Sequence, residues 1–151
     1  MKFVKYAAIA AVFAAGMAGS IAHAEGEPTD PNAKLRAALM TQVGGAMKVL
    51  GGMAKGEVAY DAAAAEAAKA KLVEASAGIA VAFAKQGEAD PVSEAKPEIW
   101  TSWEDFLKKA GALNAVATAA DVASAEAVTA SVGTLGGACK DCHTTYRVKK
   151  E

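Results

Sequence analysis

Apolar side chains recur at helical spacing along much of this 151-residue chain. In two segments the inward positions follow one another at alternating steps of four and three residues, which is the repeat of an amphipathic helix. The first segment, 33–54, has this repeat at Arg36, Met40, Val43, Met47, Leu50 and Ala54. The last segment, from about Asp121 to Lys149, has it at Val128, Val132, Leu135, Cys139, Cys142 and Tyr146. Each segment therefore predicts a helix with one buried face.

A second helix is predicted between these two segments, over 62–86. Its inward stripe consists of Leu72, Ile79 and Phe83. Short polar side chains at the expected helix starts can accept backbone hydrogen bonds there, so we expect them to act as N-caps. Asp61 is the expected cap of this helix, and Asp30 or Asn32 is the expected cap of the first one.

A third helix is predicted to begin after Ser102. Ser102, followed three residues later by Asp105, resembles a capping box, although Asp stands where Glu or Gln is preferred. The inward face of this helix would hold Trp103, Phe106, Leu107, Ala110, Leu113 and Ala117. Residues 87–98 form the one long connection, and no segment alternates like a strand. The pattern therefore predicts an all-α fold, an antiparallel four-helix bundle.

The N-terminal segment has a different character. Two lysines precede an apolar run over 6–17, and residues 22–24 (Ala-His-Ala) fit an A-x-A cleavage site. The run is too short to span a bilayer comfortably, and no second one follows. We therefore predict a cleaved secretory signal peptide over 1–24 and a mature domain over 25–151, located in the periplasm and not embedded in the membrane. A retained N-terminal anchor is the alternative.

The charge balance narrows the possible functions. The formal net charge is −1 at pH 7, and removal of Lys2 and Lys5 with the signal peptide makes it −3. This mild acidity argues against nucleic-acid binding. The chain also shows no nucleophile–base pair, no paired acids and no phosphate-binding loop, so we expect a protein that is not an enzyme.

The strongest chemical signal lies near the C-terminus, in Cys139-Lys140-Asp141-Cys142-His143. Cys-x-x-Cys-His is the attachment signature of a c-type haem, in which the thiols become thioethers and the imidazole ligates the iron. These are the only two cysteines of the chain, and His143 is its only histidine outside the predicted signal peptide. A zinc site would need further ligands, and a thioredoxin-like pair would normally accompany a βαβ pattern. The motif therefore predicts one covalent haem c, with its iron bound by His143.

The predicted helices contain many alanines and few bulky side chains. An all-protein core would consequently be thin, and a buried haem would supply the missing apolar bulk. Since a ligand that binds only the folded state stabilises that state, we expect the haem-free chain to be poorly packed.

With these features the chain resembles the class II cytochromes c, the cytochrome c-prime family, over essentially all of 33–150. A Cys-x-x-Cys-His motif is shared by every c-type cytochrome, but its place at the C-terminus of a four-helix chain points to class II. The accompanying features are Tyr146-Arg147 after the motif, Pro97-Glu98-Ile99-Trp100 in the long loop, and Lys55-Gly56 with Tyr60-Asp61 between the first two helices.

The resemblance implies two functional alternatives. High-spin members leave the sixth iron position vacant behind an apolar residue of the first helix and bind nitric oxide or carbon monoxide. Low-spin members fill that position with a first-helix methionine and transfer electrons. The corresponding residue here is Met40, so the resemblance favours a one-electron carrier with His143 and Met40 as iron ligands. Met47 and Met53 are more typical of core residues.

The resemblance further implies a set of haem-contacting residues. These are Arg36, Ala37, Lys96, Pro97 and Arg147. The two arginines would pair with the carboxylates of the haem propionates or shape the field at the iron. A solvated charge at a helix end is the alternative for each arginine.

The partners implied are redox proteins of the periplasm or of a membrane electron-transfer chain, with nitric oxide and carbon monoxide as ligands under the alternative. A homodimer is the alternative to a monomer.

Overall fold

The computed structural model describes residues 26–149, so the predicted signal peptide lies outside the described residues. Four long helices and two single-turn helices account for most of this part of the chain. They are α1 (Pro31–Ala54), α2 (Ala62–Ala77), α3 (Ile79–Ala82), α4 (Glu98–Thr101), α5 (Trp103–Ala119) and α6 (Ala125–Tyr146).

The four long helices form a ring in which α1 and α5 each contact both α2 and α6. Neighbouring helices run in opposite directions. Near the start of α6, for example, the hydroxyl of Thr129 donates to the carbonyl of Ala54 at the end of α1, at 3.5 Å. Within 26–149 the only β pairing is an isolated antiparallel bridge between Ala95 and Arg147. The predicted antiparallel four-helix bundle is thereby confirmed.

The helix starts test the predicted caps. Asp30 accepts a hydrogen bond from the backbone N–H of Ala33 at 2.8 Å, and Asp61 accepts one from Ala64 at 2.7 Å, as expected. The predicted capping box at Ser102 is wrong, because its side chain makes no cap hydrogen bond. Ser102 directly follows α4, and its N–H donates to the carbonyl of Glu98 at 2.9 Å.

Two helix limits differ from the prediction. The predicted second helix is interrupted at Gly78, whose N–H is shared between the carbonyls of Glu74 and Ala75 in a tightened turn. The last helix begins after Ser124, which caps it by accepting from Ala127 at 3.2 Å. It ends at Tyr146, because the next residue adopts an extended conformation and enters the β bridge.

The core lies between the four long helices. Its largest fully buried side chains are Leu50, Leu72, Ile99, Leu135, Val122 and Val128. An aromatic cluster centred on Phe106 closes one end, with the rings of Phe83, Trp103 and Tyr146 at 5.1 to 5.4 Å from it. None of the helices described between 26 and 149 combines the length and apolarity that a membrane crossing requires.

Candidate haem-attachment site

The last three turns of α6 carry the Cys-x-x-Cys-His motif. Cys139 and Cys142 lie on one side of this helix, both half-buried against the core, and neither forms a disulfide. Burial raises the pKa of both thiols. Their positions three residues apart on a continuous helix bring the two sulfurs to the same face, as attachment of both to one porphyrin requires.

His143 follows the second thiol and lies at the surface of the protein. Partial burial and the positive charge of Arg147 lower the pKa of its imidazole, while Glu94 acts in the opposite direction. A lowered pKa favours the neutral ring, which is the form that ligates a metal.

Helix α5 holds this end of α6 through two polar contacts. Lys109 pairs with Asp141, inside the motif, at 2.6 Å. The hydroxyl of the buried Tyr146 donates to the carboxylate of Asp105 at 2.7 Å. Burial, together with this hydrogen bond, raises the pKa of Tyr146 to about 12. The motif is therefore attached to the bundle on both sides of His143.

Met40 lies half-buried on the neighbouring helix α1. Thr129 on α6 contacts Ala54 on α1, so this pair gives a common reference level for the two helices. Met40 stands fourteen residues before Ala54, and His143 stands fourteen residues after Thr129. Because each helix rises about 1.5 Å per residue, Met40 and His143 lie at about the same height in the bundle.

The other two methionines of α1 are less suited to ligate the iron. Met47 is also half-buried, but it lies seven residues along the helix from Met40, a displacement of about 10 Å at the helical rise. Met53 is buried in the hydrophobic core. The prediction that these two act as core residues agrees with both positions.

Arg36 lies one turn before Met40 and is only 5% exposed, so the alternative of a solvated helix-end charge is wrong for this arginine. One of its terminal nitrogens, Nη1, donates to the carbonyls of Lys85 and Gln86, each at 3.0 Å. The guanidinium carbon lies 5.1 Å from the ring centroid of Trp100. These contacts attach α1 to the segment that follows α3 and to α4.

The third nitrogen of that guanidinium gives a test of whether a haem fits. Arg36 Nε is buried and has no hydrogen-bond partner. An unpaired buried donor is costly, and a carboxylate such as a haem propionate would satisfy it.

Along α1 and α6 a strip of half-buried apolar side chains also lies against the core without being fully covered. It comprises Met40, Val132, Ala138, Cys139 and Cys142. Both features fit a large, flat, mostly apolar group with anionic substituents.

Of the remaining predicted haem contacts, three lie near the end of α6 and one lies on α1. Arg147 is exposed and its Nε forms an ion pair with Glu94, while the N–H of Lys96 donates to the carbonyl of Tyr146 at 3.0 Å. Lys96 and Pro97 therefore lie beside the end of α6. Ala37 lies on an exposed part of α1, next to Arg36.

Sequence reasoning missed three charged residues that contact the motif or the residues directly after it. They are Glu94, Asp105 and Lys109. Each is a charged residue of a kind common on helix and loop surfaces, and each meets its partner across 32 to 53 positions of sequence. No local signal distinguishes them from other surface charges.

Comparison with known proteins identifies the family of this chain. Residues 32–147 match the family model described as cytochrome C'. The chain belongs to the cytochrome c' family. This confirms the resemblance to class II cytochromes c, and with it a covalently bound haem c as the cofactor.

Individual members support the same assignment. The chain is 39% identical over 120 residues to a cytochrome c-556 of Agrobacterium tumefaciens (strain apple 185), covering 77% of this chain and 94% of that protein. The structure of a cytochrome c' from Rhodobacter Spheriodes has a TM-score of 0.73 at 32% identity, covering 79% of this chain and 96% of the other. A nitric oxide complex of a mutant cytochrome c prime from Alcaligenes xylosoxidans has a TM-score of 0.68 at 31% identity, covering 79% and 94%.

Proposed function

We propose that the mature chain, residues 25–151, is an exported periplasmic cytochrome that carries single electrons between redox proteins. Membership of the family supports an electron-carrying monohaem cytochrome. The finer assignment, with His143 and Met40 as the two iron ligands, is supported by one observation above all. Met40 is half-buried on α1 at the height that His143 occupies on α6.

The proposed roles of the residues follow from their chemistry. Cys139 and Cys142 hold the haem covalently, and the neutral imidazole of His143 supplies the proximal ligand. When bound, the haem contributes an iron that changes by one electron between Fe³⁺ and Fe²⁺. The thioether of Met40 favours the ferrous state and raises the reduction potential relative to a weaker or absent sixth ligand. Arg36 offers its unpaired Nε to a propionate.

A second candidate is a gas-binding cytochrome with a vacant sixth position. It is favoured by the relative from Alcaligenes xylosoxidans, whose structure is a nitric oxide complex. In that case Met40 would be an unligated core residue, and nitric oxide or carbon monoxide would bind the iron on the α1 side.

Optical spectra of the purified protein and of Met40→Ala distinguish the two candidates. If Met40 ligates the iron, the parent is low-spin in both oxidation states and shows a thioether–iron charge-transfer band when oxidised. Met40→Ala should lose that band, become high-spin, show a lower reduction potential and bind carbon monoxide. Met47→Ala, which removes an equivalent side chain from the same helix, is the matched control and should keep the parent spectrum.

The opposite result would be a parent protein that is already high-spin and binds carbon monoxide readily, with Met40→Ala unchanged. The gas-binding function would then replace electron transfer. Mass spectrometry of the periplasmic fraction tests the export part of the proposal: a chain that begins at Glu25 supports it, and an intact Met1 in a membrane fraction contradicts it.

A further inference from the structure

The segment 94–96 is paired with 146–148, immediately after the motif. The N–H of Val148 donates to the carbonyl of Glu94 at 2.8 Å, and the N–H of Lys96 donates to the carbonyl of Tyr146 at 3.0 Å. Between these two hydrogen bonds lies the bridge that joins residues 95 and 147. The backbone from the carbonyl of Glu94 to the N–H of Lys96 is thus held against the end of α6.

This pairing brings a carboxylate to the only other arginine of the chain. Arg147 Nε forms an ion pair with Glu94 Oε2, and the two side chains are 50% and 26% exposed. Arg147 is also connected to the proposed proximal ligand, since its N–H donates to the carbonyl of His143 at 3.2 Å. The backbone of Arg147 thus lies one turn beyond His143, and its guanidinium is paired with Glu94.

A positive charge near the iron disfavours Fe³⁺ relative to Fe²⁺, because the ferric state carries one more positive charge. An unpaired arginine beside His143 would accordingly raise the reduction potential, and a carboxylate paired with it offsets that effect.

We propose that Glu94 is a positioning residue of the proximal side, which holds Arg147 beside His143 and sets the reduction potential by offsetting its charge. This inference rests on the proposed function in one respect, the role of His143 as iron ligand. It does not depend on Met40.

Potentiometric titration of three holoprotein variants tests the proposal. Glu94→Gln leaves the arginine charge uncompensated and should raise the midpoint potential. Arg147→Gln removes the guanidinium charge and keeps the carboxylate, so it should lower the midpoint potential. The double variant should return close to the parent value. We expect shifts of a few-fold to tenfold in the Fe³⁺/Fe²⁺ equilibrium constant, where tenfold corresponds to about 59 mV for one electron.

Glu74→Gln is the matched control. Glu74 also belongs to an exposed ion pair, with Lys71 at 2.7 Å, but it lies on α2, diagonally across the bundle from α6. This substitution changes the net charge by the same amount and should leave the potential unchanged. The shifts at residues 94 and 147 should shrink at high ionic strength, because salt screens exposed charges. Urea unfolding midpoints of all variants should match the parent, which separates an electrostatic effect from a loss of structure.

Shifts of the same sign in both single variants, or a Glu74→Gln shift as large as that of Glu94→Gln, would overturn the proposal. A high-spin parent with the expected pattern of opposite shifts would refute Met40 ligation and leave the role of Glu94 intact. A preparation without covalent haem would overturn both the proposed function and this inference.

Discussion

Helices α5 and α6 run side by side with an apolar stripe on each, but protein side chains cover more of the stripe of α5 than of the stripe of α6. In 17 residues α5 buries Phe106, Ala110, Leu113 and Ala117. In 22 residues α6 buries only Val128, Leu135 and Tyr146. The stripe positions between them, Val132, Cys139 and Cys142, stay half-buried.

This difference indicates which helix depends on the haem for its stability. The four buried side chains of α5 pack on protein, so we expect the stability of this helix to depend less on the haem. The half-buried apolar positions of α6 are Val132, Ala138 and the two proposed attachment thiols, a surface that a covalently bound porphyrin would cover. The same stretch includes Gly133, Gly136 and Gly137, and each glycine costs about 1 kcal/mol of helix stability relative to alanine. We infer that α6 is the helix that loosens first without haem.

The largest expected effect comes from removing both attachment sites with Cys139→Ser and Cys142→Ser. Acid–organic extraction should separate the haem from this double variant, whereas it should leave the haem on the parent polypeptide. Loss of the haem should also lower the unfolding free energy, because a group that packs only in the folded state stabilises that state. Hydrogen exchange should show α6 amides losing protection before those of α5. Equal loss in the two helices would remove the contrast drawn between them.

A pair of core truncations sharpens the comparison. Leu113→Ala on α5 and Leu135→Ala on α6 both remove a buried leucine side chain, so each should cost about 2 to 5 kcal/mol in the haem-loaded protein. In the serine double variant the cost at Leu135 should become much smaller, because α6 is already loosened there, while the cost at Leu113 should persist. Urea unfolding of the variants checks this, and an unchanged cost at Leu135 would contradict a haem-dependent α6.

The smallest effect concerns the hydrogen bond that joins the two helices at Tyr146. Tyr146→Phe keeps the ring and removes the donor to Asp105, so it should cost about 1 kcal/mol at neutral pH. Folding raises the pKa of this phenol from 10.0 to about 12, so its stabilising contribution is complete below pH 10 and is lost as the pH rises through 12. Unfolding measured from pH 9 to 12 should show a smaller loss of stability in Tyr146→Phe than in the parent. An identical pH dependence in the two proteins would exclude this role.

Features that depend on neighbouring residues could be predicted from the sequence. The stripes of α1, α2, α5 and α6 follow from helical periodicity, which reports the face a helix buries wherever that helix packs. The caps at Asp30 and Asp61 follow from a side chain that reaches a backbone N–H three residues away. The Cys-x-x-Cys-His motif is also local, and it identified the family cofactor without any knowledge of the fold.

Features that depend on distant residues could not be predicted. Two examples are the break at Gly78, where a longer helix is predicted, and the single-turn α4, where a loop is predicted. We infer that packing of the surrounding chain favours the observed conformations. Arg36 shows the same limit. Its position predicted a haem contact, yet its hydrogen bonds to the carbonyls of Lys85 and Gln86 involve residues 49 and 50 positions away.

The sequence by itself thus determined an all-α chain, its inward faces and the covalent haem motif, since each is encoded within a few turns of helix. Only the tertiary structure decided which side chains surround that motif. The antiparallel packing of α1 on α6 brings Met40 to the height of His143, and the pairing of 94–96 with 146–148 places Glu94 against Arg147. The physical reason is that these contacts arise when the whole bundle closes, and no short-range pattern in the chain specifies them.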